Sequence, residues 1–507
     1  MTGKAETGTS LALLIFLQAM VSAASLVVEI VAGRMLAPYL GMSLYTWTSV
    51  IAVVLAGFSA GHWVGGLVAG KQPDISMRLT AWSMAFAAIS TVLAVLILRT
   101  SAGPVIAGIE SPLAAITVLC SLVFFLPSFF AGIPAPVLSH VAVLSSPDKG
   151  GRALGAMFAA SALGAIAGTL LAGFLFISWL GSVRTLSVVA GIYVLAATVM
   201  FALSRPTGMR GFATIMVAMV SVGAISASTI GLSDPCTKES QYFCIRILDA
   251  SREARAPARV MVLDHLGHGI AVENDPKRLV TPHAALLAEL ARMRMEGNQF
   301  STYFIGGGSY SIPRAWTGDP AVTAMTVAEI DPAVTQLAIS RMWFDPSETR
   351  IVHEDARMLL ARDDSRYDVI IGDAFTDIAV PAHLVTQEFF ELVRLRLQDD
   401  GIFLMNVVDH FDRLRALSAL SRTLRAVFPV VEIWTERQRP NGDERAIFVV
   451  LAGTTPSGRD LIDGPEPDRH KFGKLPQAAM ERMLAQIDTP VLSDDYAPMD
   501  RLMGRLD

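Results

Sequence analysis

Tyr303-Phe-Ile-Gly-Gly-Gly-Ser-Tyr-Ser-Ile-Pro-Arg314, followed by Val327-Ala-Glu-Ile-Asp331, is the stretch on which the fold turns. An apolar run meets three glycines, a helix-length segment follows, and a second apolar run ends in an acid. That is the order of a nucleotide-binding βαβ unit. Its glycines admit a ligand close to the backbone, and its acid can take two ribose hydroxyls.

Outward from this stretch the alternation continues on both sides. Gln241–Leu248 and Arg259–Leu263 read as strands of a small antiparallel lead-in, and Thr281–Met295 reads as a helix. Strands are expected at 303–306, 324–329, 350–353, 367–373 and 401–408, with helices at 311–318, 332–342, 355–361 and 386–397. Such alternation implies a mostly parallel sheet covered on both faces, with ligands at the carboxyl ends of its strands. Ser309, Glu329, Asp355 and Asp373 all fall at those ends.

Each of these polar residues has a chemical reading. Glu329 can accept the ribose diol. Asp355 can cap the helix after it or accept the exocyclic amine of adenine. Asp373, ending Tyr367-Asp-Val-Ile-Ile-Gly-Asp373, can hold a cationic amine or remove its proton. His268 and His383 read as hydrogen-bonding residues before acid–base groups. The loop lacks a G-x-G-x-x-G, and Asp355-Ala356 supplies an adenine pocket. Both details favour a class I methyltransferase-like site for an S-adenosylmethionine-type ligand over a dinucleotide site.

The first half of the chain is of another kind. Composition is 52% hydrophobic and 17% charged over 507 residues, too apolar for one soluble globule. A net charge of −5 gives no basic face for nucleic acid. About seven segments approach the ~20 residues a bilayer needs, at 10–31, 45–70, 79–98, 112–143, 153–180, 184–203 and 210–232. The fourth carries Pro127, Pro134 and Pro136, so a kink or break is expected there. Small residues in Ala160-Ser-Ala-Leu-Gly164-Ala-Ile-Ala-Gly168 read as helix packing. Glu29 reads as a structural pair with Arg34 or as part of a polar site, and His62 as an interior hydrogen-bonding residue.

The domain division expected is therefore 1–232 as the membrane domain, 233–300 as the β-rich lead-in, and 301–507 as the Rossmann-like domain. Of three cysteines, Cys120 reads as packing. Cys236 and Cys244 are a disulfide in an oxidising compartment or two thiols in the cytosol. Lys4, Lys71, Arg78, Lys149, Arg152, Arg205 and Arg210 share one side of a seven-span topology, against Arg34, Arg99 and Arg184. Positive charge inside then places the carboxy-terminal domain outside. Adenosyl compounds are cytosolic, however, and the expectation adopted is a cytoplasmic domain.

Several motifs together resemble the spermidine synthases (aminopropyltransferases) in their membrane-fused bacterial form, over roughly 239–452. Glu239-Ser-Gln-Tyr242 resembles the opening strand, and Val262-Leu-Asp264 the L-D-G segment. Gly306-Gly-Gly308 and Glu329-Ile-Asp331-Pro332 resemble the cofactor loop and ribose acid, and Glu354-Asp-Ala356 the G-D-A. Tyr367–Asp373 with Pro381-Ala382 resembles Y-D-V-I-I-x-D…P-A, and Leu492-Ser-Asp-Asp-Tyr-Ala-Pro498 a tail of fused members. The resemblance implies an inner-membrane enzyme that binds decarboxylated S-adenosylmethionine, or S-adenosylmethionine itself, and releases methylthioadenosine without a metal. It implies cofactor contacts at Gly306, Gly308, Ser309, Glu329, Ile330, Asp355, Ala356, Asp373 and Pro381, and catalytic roles for Asp373, as base, and Asp377. A small amine acceptor or none, the lipid bilayer and a homodimer are the expected partners.

The departures concern the acceptor. Where the family has an aspartate after the triple glycine, this chain has Ser309. The D-x-x-D gate carries its second acid one residue late, at Asp377. His265 and His268 stand at the family's glycine and glutamine. Two other functions stay open: different chemistry on S-adenosylmethionine (methyl transfer, or intramolecular cleavage or cyclisation), and a non-catalytic polyamine or nucleoside transporter or sensor.

Overall fold

The computed structural model describes residues 10–204, 209–231, 235–375, 379–437 and 444–504. The chain divides into two compact units, Met1–Cys244 and Ile245–Asp507.

The first unit is helical: α1 (Leu11–Leu40), α2 (Leu44–Ala69), α3 (Pro73–Gly108), α4 (Pro112–Gly132), α5 (Pro134–Leu144), α6 (Gly150–Leu171), α7 (Ile177–Leu203) and α8 (Met209–Gly231). Ser43 and Ser111 cap α2 and α4 through their hydroxyls, and prolines open α3, α4 and α5, where a missing N–H costs nothing. Among the described residues, five stretches are long and apolar enough to cross a membrane: Leu11–Leu40, Leu44–Ala69, Pro73–Gly108, Pro112–Leu144 and Gly150–Leu203. The fourth breaks at Pro134, while Pro127 stays inside α4. The fifth is two limbs rather than one rod, because Gly181 leaves the helical region at φ 73°, ψ 171°. A shorter apolar helix covers Met219–Gly231.

Small residues set how closely these helices approach. A Cβ on Gly164 or Gly168 would stand 2.2 Å from the carbonyls of Ala19 or Ala23, so α6 lies directly on α1. Gly61 and Gly65 seat α2 against Phe129 and Ile133 in the same way. Arg34 does not take up the structural pair with Glu29 expected of it. Its guanidinium donates instead to the carbonyls of Ser240, at 2.9 Å, and Tyr242. Carbonyls of the exit segment hold its two terminal nitrogens without desolvating a second charge. His62 is exposed beside Phe58 rather than interior. Cys120 is buried, and Cys236 is bonded to Cys244 beside a two-residue strand β1 (Lys238–Glu239). A disulfide persists in oxidising compartments, which runs against the cytoplasmic side expected from the ligand.

The second unit opens with an antiparallel lead-in, β2 (Cys244–Asp249), β3 (Ala258–Leu263) and β4 (Leu266–Val272), with the short helix α9 (Ser251–Ala254) between β2 and β3. Then come α10 (Pro282–Arg294), β5 (Phe300–Ile305), α11 (Ser311–Trp316), β6 (Val322–Ala328), α12 (Pro332–Arg341), β7 (Thr349–Val352), α13 (Ala356–Arg362) and β8 (Tyr367–Gly372). They are followed by α14 (Gln387–Arg396), β9 (Leu397–His410), α15 (Arg415–Val427), β10 (Val430–Glu436), β11 (Arg445–Gly453), β12 (Leu461–Asp463), β13 (Lys471–Lys474), α16 (Gln477–Gln486) and α17 (Met499–Met503).

These strands form a nine-stranded sheet in the order β12-β13-β10-β11-β9-β8-β5-β6-β7. The block β9-β8-β5-β6-β7 is parallel, as expected, but β11, β10, β13 and β12 add on antiparallel, so the sheet is mixed rather than mostly parallel. Buried side chains from β5, β8, β9, α13, α14 and α15 pack into a core under this sheet. The chain runs β5 to β6 to β7 in one direction and resumes with β8 on the other side of β5. That reversal opens a crevice at the carboxyl ends of β5 and β8.

Candidate active site

The crevice begins with the glycines. Gly306 and Gly308 adopt φ 89° and 50°, the left-handed region open to glycine. A Cβ on Gly306 would stand 3.1 Å from the Asp373 carbonyl and 3.2 Å from the Ala374 side chain, so the β5 and β8 loops touch only because this residue has none. Tyr310 closes the loop, with its ring stacked on Phe344 at 4.5 Å and its hydroxyl 2.6 Å from Thr335.

Glu329 follows β6 and is buried. Its Oε2 accepts the Gly307 amide at 2.7 Å and its Oε1 the Asp331 amide at 2.9 Å. Burial pushes its carboxyl up to about 7 against the pull of those amides. Asp331 caps α12 by accepting the Ala333 amide. Ile330 between the two acids is 38% exposed, an apolar surface at the crevice edge.

Asp355 lies after β7 and divides its two oxygens. One caps α13 by accepting Met358 N–H at 3.0 Å, and the other lies 2.8 Å from His383 Nε2. His383 first, then the capping bond, hold this carboxyl below its ordinary range. Ala356 is buried, and its carbonyl accepts the Tyr303 hydroxyl at 2.8 Å. Pro381 precedes the short turn Ala382–Leu384 that presents His383.

Asp373 follows β8. Its amide donates to Ile305 O at 3.1 Å, and its Oδ1 accepts Asn406 Nδ2 at 2.8 Å. Its Oδ2 is 3.8 Å from His283 Nε2, and the side chain keeps 28% exposure. Asn406 of β9 and His283 of α10 escaped the sequence reasoning, since neither carries a local motif. Asp377 lies outside the described residues.

Ser309 does not present its hydroxyl to the crevice. The side chain is buried, 2.6 Å from Ser311 Oγ, and a Cβ on Gly269 of β4 would meet its Oγ at 2.0 Å. The neighbouring His268 does face the site. Its Nδ1 donates to Leu266 O at 2.9 Å, which leaves Nε2 as the acceptor of a neutral ring, and Nε2 is buried with no hydrogen-bond partner among the described residues. Burial lowers its affinity for a proton, the Leu266 carbonyl and Asp373 oppose this, and His283 and His265 reinforce it.

The carboxyl edge of β8-β5-β6-β7 therefore carries Asp373, the glycine loop, Glu329 and Asp355 in spatial sequence. A cradle only glycine can form, a buried ribose-type acceptor, an apolar ledge and a second acid fit an adenosyl ligand. One carboxylate and a cluster of imidazoles stand where its reacting end would lie.

Residues 286–448 match the family model described as the spermine/spermidine synthase domain. The polyamine aminopropyltransferase of Vibrio vulnificus is 31% identical over 156 residues, which is 30% of this chain and 50% of that protein. The probable polyamine aminopropyl transferase of Bifidobacterium longum is 30% identical over 166 residues, 32% of this chain and 37% of that protein. The chain thus spans half or less of the length of these two relatives. The crystal structure of a probable spermidine synthase from Corynebacterium glutamicum is 20% identical, with 50% of this chain and 88% of that one covered at a TM-score of 0.40.

Proposed function

We propose, from the match of residues 286–448 to the spermine/spermidine synthase domain, that the chain is an integral-membrane transferase of the aminopropyltransferase type. Its substrate is decarboxylated S-adenosylmethionine or S-adenosylmethionine. A nucleophile attacks the carbon beside the sulfonium, that carbon–sulfur bond breaks, and methylthioadenosine leaves with the bonding pair on sulfur. Gly306, Gly308 and Glu329 seat the ribose, Ile330 packs on the adenine, and Asp355 and Ala356 edge it. Asp373 orients the transferred chain and takes the proton of the nucleophile. The sulfonium is already a good leaving group, so positioning and one base suffice.

The observation that carries this reading is the approach of Gly306 to the Asp373 backbone carbonyl, which sets the ligand cradle beside the residue that bears the proposed base. Purified full chain incubated with each form of the sulfonium substrate, with and without putrescine, tests it by mass spectrometry. Methylthioadenosine release that depends on the amine supports the transferase. No release, with or without amine, overturns it.

A second reading has its own support. His268 and His283 lie beside Asp373, with His265 next to His268, where a diamine would call for acids, and burial disfavours a charge on His265 and His268. Chemistry without a cationic acceptor, an intramolecular displacement included, fits that lining. Release of methylthioadenosine that ignores putrescine is its signature.

The helical unit is proposed to span the bacterial plasma membrane. The Cys236–Cys244 disulfide and the excess of Lys and Arg on the amino-terminal side support a second unit on the oxidising side. Accessibility of Cys236 and Cys244 to a membrane-impermeant maleimide in intact cells, after mild reduction, tests this.

A further inference from the structure

The helical unit contains a second polar site that the transferase reading does not use. Where the chain leaves α8, a cavity of about 350 Å³ is lined by Arg99 of α3, Ser178, Trp179 and Arg184 around the Gly181 break, and Lys238 and Glu239 of the exit segment. This lies within the size range of small-ligand pockets, about 300–1,000 Å³.

The charges in it do not balance. Glu239 is already engaged, because its carboxylate accepts the Ser182 amide at 2.8 Å and also the Ser182 hydroxyl. Arg99, Arg184 and Lys238 make no ion pair or side-chain hydrogen bond among the described residues. Arg34, at the same end of the unit, shows the contrast, since both its terminal nitrogens are held by backbone carbonyls. Ser178 Oγ is buried with no hydrogen-bond partner among the described residues.

Three cations around one concavity raise a positive potential that a counter-anion relieves. Two guanidinium groups offer flat donor forks that match the oxygens of a phosphate, and an ammonium adds a point charge. Trp179 at the rim is 79% exposed, and amphipathic indoles favour the headgroup level of a bilayer. The plain alternative is three separately hydrated cations, which would show no preference among lipids and no competition between ligands.

We propose that this cavity binds a phosphate-bearing anion, with Arg99 and Arg184 on its oxygens, Lys238 as the third charge and Ser178 donating its hydroxyl. The group is a phosphodiester of an anionic lipid or a free phosphate. The lipid source rests on the membrane placement proposed above, whereas the free-phosphate source does not.

The test uses the full chain in two arms. Native mass spectrometry measures retention of phosphatidylglycerol against phosphatidylcholine from mixed nanodiscs, and calorimetry in detergent measures binding of inorganic phosphate. Retention favouring phosphatidylglycerol, falling about tenfold or more in Arg99→Gln/Arg184→Gln, identifies a lipid site. Saturable phosphate binding that the same substitutions abolish, without lipid preference, identifies the free anion. Lys238→Gln, on an exposed residue, guards against misfolding of the double variant and is expected to weaken binding in the same direction. Equal retention of both lipids with no phosphate binding, or binding unchanged in both variants, overturns the proposal. A chain that stays in solution without detergent yet binds phosphate keeps the site and removes the membrane reading.

Discussion

Glu329 accepts the amide of Gly307 at 2.7 Å, so the acid after one strand holds the shape of the loop after its neighbour. The residue expected to seat a ribose is thus also the one that sets the cradle. Glu329→Gln keeps the size and loses the charge. Methylthioadenosine affinity, measured by calorimetry, should fall about tenfold or more, since bonds to a charged acceptor contribute about 1.5–3 kcal/mol. Unchanged affinity would remove Glu329 from the site.

The same carboxyl gives binding a pH dependence. Its folded pKa, about 7, lies above the ordinary 4.5, so the protonated form is favoured by folding. That stabilisation is complete below the ordinary value and is lost as pH rises through about 7. A ribose diol donates to the ionised form. Methylthioadenosine should therefore bind about tenfold more tightly at pH 8 than at pH 6, the ratio of ionised fractions for such a group. A flat profile would show that the diol goes elsewhere.

Asp373 is braced by Asn406 on one oxygen and has His283 3.8 Å from the other. Asp373→Asn should lower methylthioadenosine release about a hundredfold, within the range of general acid–base contributions, with ligand affinity changed only a few-fold. Asn406→Ala should act more weakly and in the same direction. Full product formation in Asp373→Asn would move the base to another group.

His268 is that other group, given its bound Nδ1 and its unpartnered Nε2. Its folded pKa is lowered, so its contribution to stability is present above the ordinary value of 6.5 and is lost as pH falls below it. If it takes the proton, release in the wild type declines on the acid side and His268→Gln abolishes that limb. A limb that persists in His268→Gln assigns it to a different residue.

Packing in the helical unit can be tested without any ligand. Gly168→Leu would force α6 away from Ala23, and overpacking of this kind costs about 1–3 kcal/mol. The variant should unfold several degrees lower in detergent. An unaltered midpoint would show that α1 and α6 part easily.

Much of the second unit is legible locally. Apolar runs ending in Gly306 or Asp373, and Asp331 ahead of Pro332, announce strand ends and helix starts within a few residues. The strands β10 to β13 lie outside the expected alternation, because strands that join by antiparallel pairing lack the βα rhythm. β4 was hidden by Gly267, His268 and Gly269, which break its apolar alternation. Asn406 and His283 acquire meaning only from their contacts with Asp373. Arg34 shows the same limit, since an acid one turn away in sequence drew attention from the carbonyls it meets in space.

Ser309 and Gly269 fit each other so closely that neither can be enlarged alone, since the serine hydroxyl fills the space a side chain on Gly269 would need. An aspartate introduced at 309 would carry a charged, bulkier group into a buried niche sealed by β4. The acidic residue expected in a polyamine pocket is therefore more than one codon away. Placing it there requires a compensating change in the lead-in sheet. Two segments far apart in sequence behave here as one packing unit, so a substitution in either is felt in the other.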